Sequence, residues 1–170
     1  TGAAQVTAAY VAFGRASFGN ASNTVRVSVW DNDGTGGAPN TRLGFQDVTI
    51  SSFAADVANG LPTLVTFNTP VNVNGDFYLG IELTYNAGDT VVLYHTENPR
   101  VAGAINTAWE QWDDLSWHTY PDAWGFNTSH WLFPIVCPSV AAPVADFSGT
   151  PTTLTAGNSV TFTDLSSGSP

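Results

Sequence analysis

Apolar and polar residues alternate with a period of two through most of this chain, the pattern of half-buried strands. Between Thr24 and Trp30 the pattern puts Val25, Val27 and Val29 on one face and Arg26, Ser28 and Trp30 on the other. In Phe77–Thr84 it turns Phe77, Leu79, Ile81 and Leu83 inward and Tyr78, Gly80, Glu82 and Thr84 outward. Further strands are predicted at Val6–Phe13, Arg42–Ile50, Thr63–Asn68, Thr90–His95, Thr107–Trp112, Trp117–Tyr120 and His130–Val136. Turn-forming clusters separate them at Asp31–Pro39, Asn59–Pro62, Asn72–Asp76, Asn86–Asp89 and Asn98–Arg100. Ser51–Ala58 reads as a helical turn, and no full helix is expected there. Many short strands with turns between them predict an all-β fold, an antiparallel β-sandwich or jelly roll.

Composition narrows the partners. The chain has 170 residues, enough for one domain and part of a second. With 43% hydrophobic and 12% aromatic residues it can pack a core, so the low charged fraction of 11% does not mean disorder. Four arginines and no lysine face fourteen acids, a formal net charge of -10. That balance argues against nucleic acid and anionic lipid surfaces, both of which are bound by basic groups. No apolar run approaches the roughly 20 residues that insertion in a membrane requires. A single cysteine, Cys137, leaves no internal disulfide framework and no cysteine-rich zinc site. The opening Thr1-Gly2-Ala3-Ala4 has no basic leader character and reads as a mature or excised piece of a larger multidomain chain. Lysine-free, Thr/Asn/Gly-rich composition is associated with secreted, extracellular or cell-surface bacterial modules.

The composition shifts near Cys137. Residues 1–137 read as a β-sandwich binding module, 138–143 as a proline-stiffened linker, and 144–170 as a separate segment. In that last segment Ala145-Asp146-Phe147, then Gly157-Asn158-Ser159-Val160-Thr161-Phe162-Thr163-Asp164-Leu165-Ser166, resembles the opening of a polycystic-kidney-disease-type (PKD) repeat. The resemblance implies an incomplete, truncated immunoglobulin-like segment. In the first domain, Val29-Trp30-Asp31-Asn32-Asp33-Gly34, Phe77-Tyr78-Leu79-Gly80-Ile81-Glu82, Gly88-Asp89-Thr90-Val91 and Ala108-Trp109-Glu110 are similar to an accessory sandwich module of secreted Bacteroidota proteins. That resemblance implies a module attached to peptidases or glycan-degrading enzymes, and not itself a catalyst.

The densest chemistry lies in Trp109-Glu110-Gln111-Trp112-Asp113-Asp114-Leu115-Ser116-Trp117-His118-Thr119-Tyr120, followed by Trp124 and Trp131. Read as a hairpin with Asp113–Ser116 as its loop, the segment pairs Trp112 with Trp117 and Trp109 with Tyr120. Trp109, Gln111, His118 and Tyr120 then share one face, and Glu110, Trp112, Trp117 and Thr119 the other. One face would rest on the core while the other offers an aromatic pair flanked by carboxylates. Pyranose rings stack their C–H patches on indoles, and their hydroxyls bond to acids, amides and imidazoles. Trp112, Trp117, Asp113, Asp114, His118, Tyr120 and Trp124 are therefore the candidate ligand-binding residues, with Asp122 and Asn127 as further hydrogen bonders. The bland alternative is that the tryptophans pack the sandwich interior.

Asp31-Asn32-Asp33-Gly34 follows a strand, and Asp31 and Asp33 are candidate ligands for a structural Ca2+. The distal acid of an EF-hand-like loop is missing, and Asx-rich turns also link strands without metal. His95, His118 and His130 lack zinc spacing, and no serine-nucleophile, phosphate-loop or dinucleotide motif occurs. Convergence of Glu82, Glu97 and Glu110 is the remaining route to hydrolysis. Asp89-Thr90-Val91 matches a short O-glycosylation pattern, although β propensity alone accounts for Thr90. The expectation is a non-catalytic binding module for a polysaccharide or an extracellular glycan. Its rival is a structural or adhesive spacer, or a protein-binding module, of a secreted protease or adhesin.

Overall fold

The computed structural model describes residues 3–84, 86–96, 107–139 and 144–167. The chain divides into two compact units, Thr1–Cys137 and Pro138–Pro170. The first is an all-β antiparallel sandwich. One sheet has the order β10-β1-β5, formed by Leu132–Pro138, Ala3–Val11 and Thr63–Asn74. The other has the order β4-β3-β6, formed by Arg42–Thr49, Thr24–Asp31 and Phe77–Leu83. Two-stranded sheets join β2 (Phe13–Ser17) to β7 (Thr90–Leu93) and β8 (Trp109–Gln111) to β9 (Trp117–Thr119).

The core lies between the sheets. Val6, Val11, Val65, Val71 and Val73 from one sheet meet Val25, Val27 and Val29 from the other, each at 4% exposure or less. The alternation predicted for β3 is thus realised, because its valines face inward at every second position. Close approach of the sheets depends on Gly44, where a Cβ would lie 2.6 Å from a methyl of Val71. Strand β5 runs past the predicted end at Asn68. Its pairing with β1 shifts between Val6 and Ala8, and Pro70, which has no N–H for the ladder, falls in the irregularity.

The helical turn expected at Ser51–Ala58 is a nine-residue helix, α1 (Ile50–Ala58). Ile50, Phe53 and Val57 line its inner face; Phe53 is fully buried and stacks on Phe13 at 4.2 Å with 13° between the rings. The Ile50 N–H, an orphan of the first turn, is satisfied by the Asn23 carbonyl at 2.8 Å. Three apolar positions in nine residues are a weak periodic signal, and Ile50 also fits the alternation of the preceding strand. A second, short helix, α2 (Tyr120–Trp124), was not foreseen. Its signals were present in the sequence: Thr119 accepts the Asp122 N–H as N-cap, Pro121 lies in the first turn, and Gly125 closes the helix at φ 74.

The second unit pairs β11 (Phe147–Thr150) with β12 (Thr161–Asp164), antiparallel. Phe147 and Phe162 meet edge to face at 5.8 Å yet stay 69% and 67% exposed. No described residue of this unit is buried.

Candidate functional site

The β8–β9 hairpin rests on the outer face of the β4-β3-β6 sheet. Trp30 and Tyr78 are cross-strand neighbours there. Trp117 meets Trp30 edge-on at 5.6 Å. Trp109 meets Tyr78 at 6.5 Å and donates its indole N–H to the Tyr78 hydroxyl at 3.2 Å. Tyr78 in turn donates to the Gly37 carbonyl at 2.6 Å. A chain of aromatic contacts therefore fixes the hairpin to the sandwich.

The register differs by one residue from the expected pairing. Glu110 pairs with His118, and Gln111 with Trp117. Trp112 closes the loop by bonding Ser116 and Leu115, so the turn is Asp113–Leu115, with Leu115 in the left-handed region at φ 67. A one-residue slip moves a strand's side chains to the opposite face. Trp112, Glu110 and His118 therefore share the outer face, while Trp117 joins Trp109 on the inner one. The flat Trp112–Trp117 pair does not form, and Trp117 is a half-buried wedge against the sheet.

On the outer face Trp112 stacks on His118, ring centroids 3.8 Å apart and 23° between the planes. Its indole N–H donates to Glu110 Oε1 at 2.6 Å. Helix α2 brings Trp124 to the same oxygen, with its indole N–H donating at 2.9 Å. Trp112 and Trp124 are 46% and 60% exposed, so both rings stand in solvent with their edges pinned to one carboxylate. Gln111, Trp112, Asp113 and Asp114 line an open depression of about 500 Å³ at the hairpin tip, a volume within the range of small-ligand clefts.

The other candidates take supporting positions. Asp114 accepts hydrogen bonds from the Ser116 hydroxyl and N–H, which hold its carboxyl below the ordinary 3.8. The Ser116 hydroxyl also meets His118 Nε2 at 2.7 Å. Asp122 is spent on the cap of α2 and Asn127 is half-buried. Tyr120 lies behind the rim, its ring edge-on to Phe126 and His130. Burial raises the Tyr120 hydroxyl pKa, with the Glu110 charge adding to the effect. Burial pushes the His130 imidazole below its ordinary 6.5, with His95 adding to the effect and Glu110 opposing it. Its Nδ1 is buried without a partner among the described residues.

Glu82 is engaged by the Ser28 hydroxyl and by Arg42 at 2.9 Å, and Glu110 by the two indole N–H groups; Glu97 lies outside the described residues. Asp33 accepts from the Thr41 N–H at 2.9 Å and hydroxyl at 2.6 Å, which lowers its pKa, and Asp31 accepts from the Asn32 N–H. No cluster of three or more His, Cys, Asp or Glu side chains suited to a metal occurs among the described residues. Asp89 is likewise a structural anchor, accepting from Asn23 and the Gly19 N–H.

Trp124 was legible as a candidate, but its role with Glu110 was not, because it depends on α2. Compared with protein-family models, curated proteins and solved structures, the chain matches none.

Proposed function

We propose that this is a secreted carbohydrate-binding module that takes a neutral polysaccharide on the outer face of the β8–β9 hairpin. One observation carries the reading: two exposed indoles, Trp112 and Trp124, both donate to Glu110 Oε1. Exposed aromatic rings ordinarily lose conformational freedom on binding. Here the N–H anchors and the His118 stack have already fixed the ring positions, so less is lost when a ligand arrives. The open face of Trp112 would take the C–H patch of a pyranose. Glu110, Asp113 and Asp114 would accept hydrogen bonds from its hydroxyls. The net charge of -10 favours a neutral glycan over a sulfated or uronate polymer. Trp117 and Tyr120 position the rim and do not touch ligand in this reading.

The test is retention of the full chain on microcrystalline cellulose, chitin, curdlan and mannan, with a glycan array beside it. Trp112→Ala and Trp124→Ala are each expected to weaken retention about tenfold or more while thermal stability barely changes. Retention unaltered by both substitutions would defeat the reading.

A further inference from the structure

A second aromatic surface lies where the chain passes from one sheet to another. After β1, Ala12 donates its N–H to the Trp131 carbonyl and accepts from the Tyr94 N–H, both at 3.0 Å. Trp131 N–H closes the junction on the Tyr94 carbonyl at 2.9 Å. Tyr94 and Trp131 are thus neighbours, their ring centroids 5.7 Å apart and 39° between the planes. They are 50% and 44% exposed.

Tyr94 lies flat. A Cβ on Gly14 would sit 3.4 Å from Cζ and 3.5 Å from both Cε atoms, so the ring covers the glycine face-on and turns its opposite face outward. Trp112 is built on the same plan: His118 backs one face, and the other is open. The line of rings continues. The Ala12–Trp131 bond and the bond from the Thr7 hydroxyl to the Ile135 carbonyl run β10 antiparallel to β1, which places Phe133 beside Tyr10. Both are exposed, at 53% and 41%. By ordinary strand rise and spacing, Phe133 stands about 7 Å along the chain from Trp131 and Tyr10 about 5 Å to its side on the neighbouring strand, so the patch turns a corner at Phe133. Arg15, paired across the ladder with Val92, stands at its edge with guanidinium donors.

We propose that Tyr94 and Trp131 form a second sugar-stacking subsite, continued by Phe133 and Tyr10, for the same neutral polysaccharide; the proposal rests on the hairpin reading for its ligand class. Flat rings with one face backed and one open suit a sugar ring lying on them. A patch of four exposed aromatics suits a chain of sugars more than a single residue. One flanking cation in a chain of net charge -10 gives an anionic polymer little attraction. Occupying both surfaces with one chain makes the second contact intramolecular, which raises avidity by about 100-fold or more when the geometry permits.

The experiment measures binding of the full chain to cellulose, chitin, curdlan and mannan and to their disaccharides, for the natural sequence, Trp112→Ala, Tyr94→Ala, Trp131→Ala and Trp131→Phe. Melting curves accompany each, and Trp131→Phe keeps a ring at the site should the alanine variant fail to fold. The expected result is that Tyr94→Ala and Trp131→Ala each weaken polymer binding about tenfold or more and leave a disaccharide bound at the hairpin, while Trp131→Phe keeps most of the polymer binding. Polymer binding unchanged by Tyr94→Ala and Trp131→Ala overturns the subsite and leaves the hairpin reading standing. Binding lost in those variants but intact in Trp112→Ala removes the hairpin and keeps the subsite. No retention on any polymer overturns both. Self-association abolished by Trp131→Ala, with polymer binding untouched, would make the strip a contact between copies and overturn the subsite.

Discussion

The core is built mainly of valines, with Ala9, Ile50, Phe67 and the stacked Phe13–Phe53 pair, all but dry; along the hairpin and its neighbours lie the tryptophans, none of them buried. The small branched side chains fill the narrow space that Gly44 and Val71 leave between the sheets. The large rings are used outside that space, as wedges (Trp109 and Trp117) or as exposed surfaces (Trp112, Trp124 and Trp131). Hydrophobic residues thus do two separable jobs here. Valine burial stabilises the sandwich, and in the proposed reading the exposed indoles at the rim offer apolar area to a ligand. The two regions should respond to substitution in opposite ways.

The sharpest contrast is expected in the core. Phe53→Ala removes a fully buried ring stacked on Phe13 and should cost about 3–5 kcal/mol, read as a fall in the chemical-denaturation midpoint, while the folded fraction keeps its polysaccharide retention. A small stability change would mean that the α1–β2 contact is not part of the cooperative unit. At the rim the order reverses. Trp112→Ala should weaken polysaccharide binding about tenfold or more, worth about 1.4 kcal/mol, and alter stability by under about 1 kcal/mol. A large melting shift there would place Trp112 with the core instead.

His130 is half-buried, and desolvation pushes its imidazole below its ordinary 6.5. The unfolded chain binds the proton more readily, so stability present above pH about 6.5 is lost as the pH falls towards the depressed folded value. His130→Gln should flatten that acid limb in melting curves taken from neutral pH down to pH about 5. An unchanged slope would show that the ring is not desolvated in solution. The smallest effect is expected at the hairpin tip. Leu115 is 72% exposed and left-handed, so Leu115→Gly relieves backbone strain without losing burial and should stabilise by up to about 1 kcal/mol. Loss of stability would show that the turn relaxes in solution.

Much of the sandwich could be read from alternation, because a strand with one face on a core announces that face every second residue. Val25, Val27 and Val29 are the clearest case. α1 was under-read because its inner face is only Ile50, Phe53 and Val57. The hairpin residues were legible as a set but not in their grouping. The loop was read as Asp113–Ser116; the turn that forms is one residue shorter and places a leucine in the left-handed region, a conformation sequence patterns do not favour for that residue type.

The sequence by itself determined the all-strand architecture, the inward valines, the acidic lysine-free surface and the concentration of indoles between Trp109 and Trp131. Only tertiary structure decided which indole faces outward. Alternation is a local property, equally satisfied by either register of a short hairpin. The choice between them depends on Trp30 and Tyr78, some eighty and thirty residues away, which receive Trp117 and Trp109 and so turn Trp112 towards solvent.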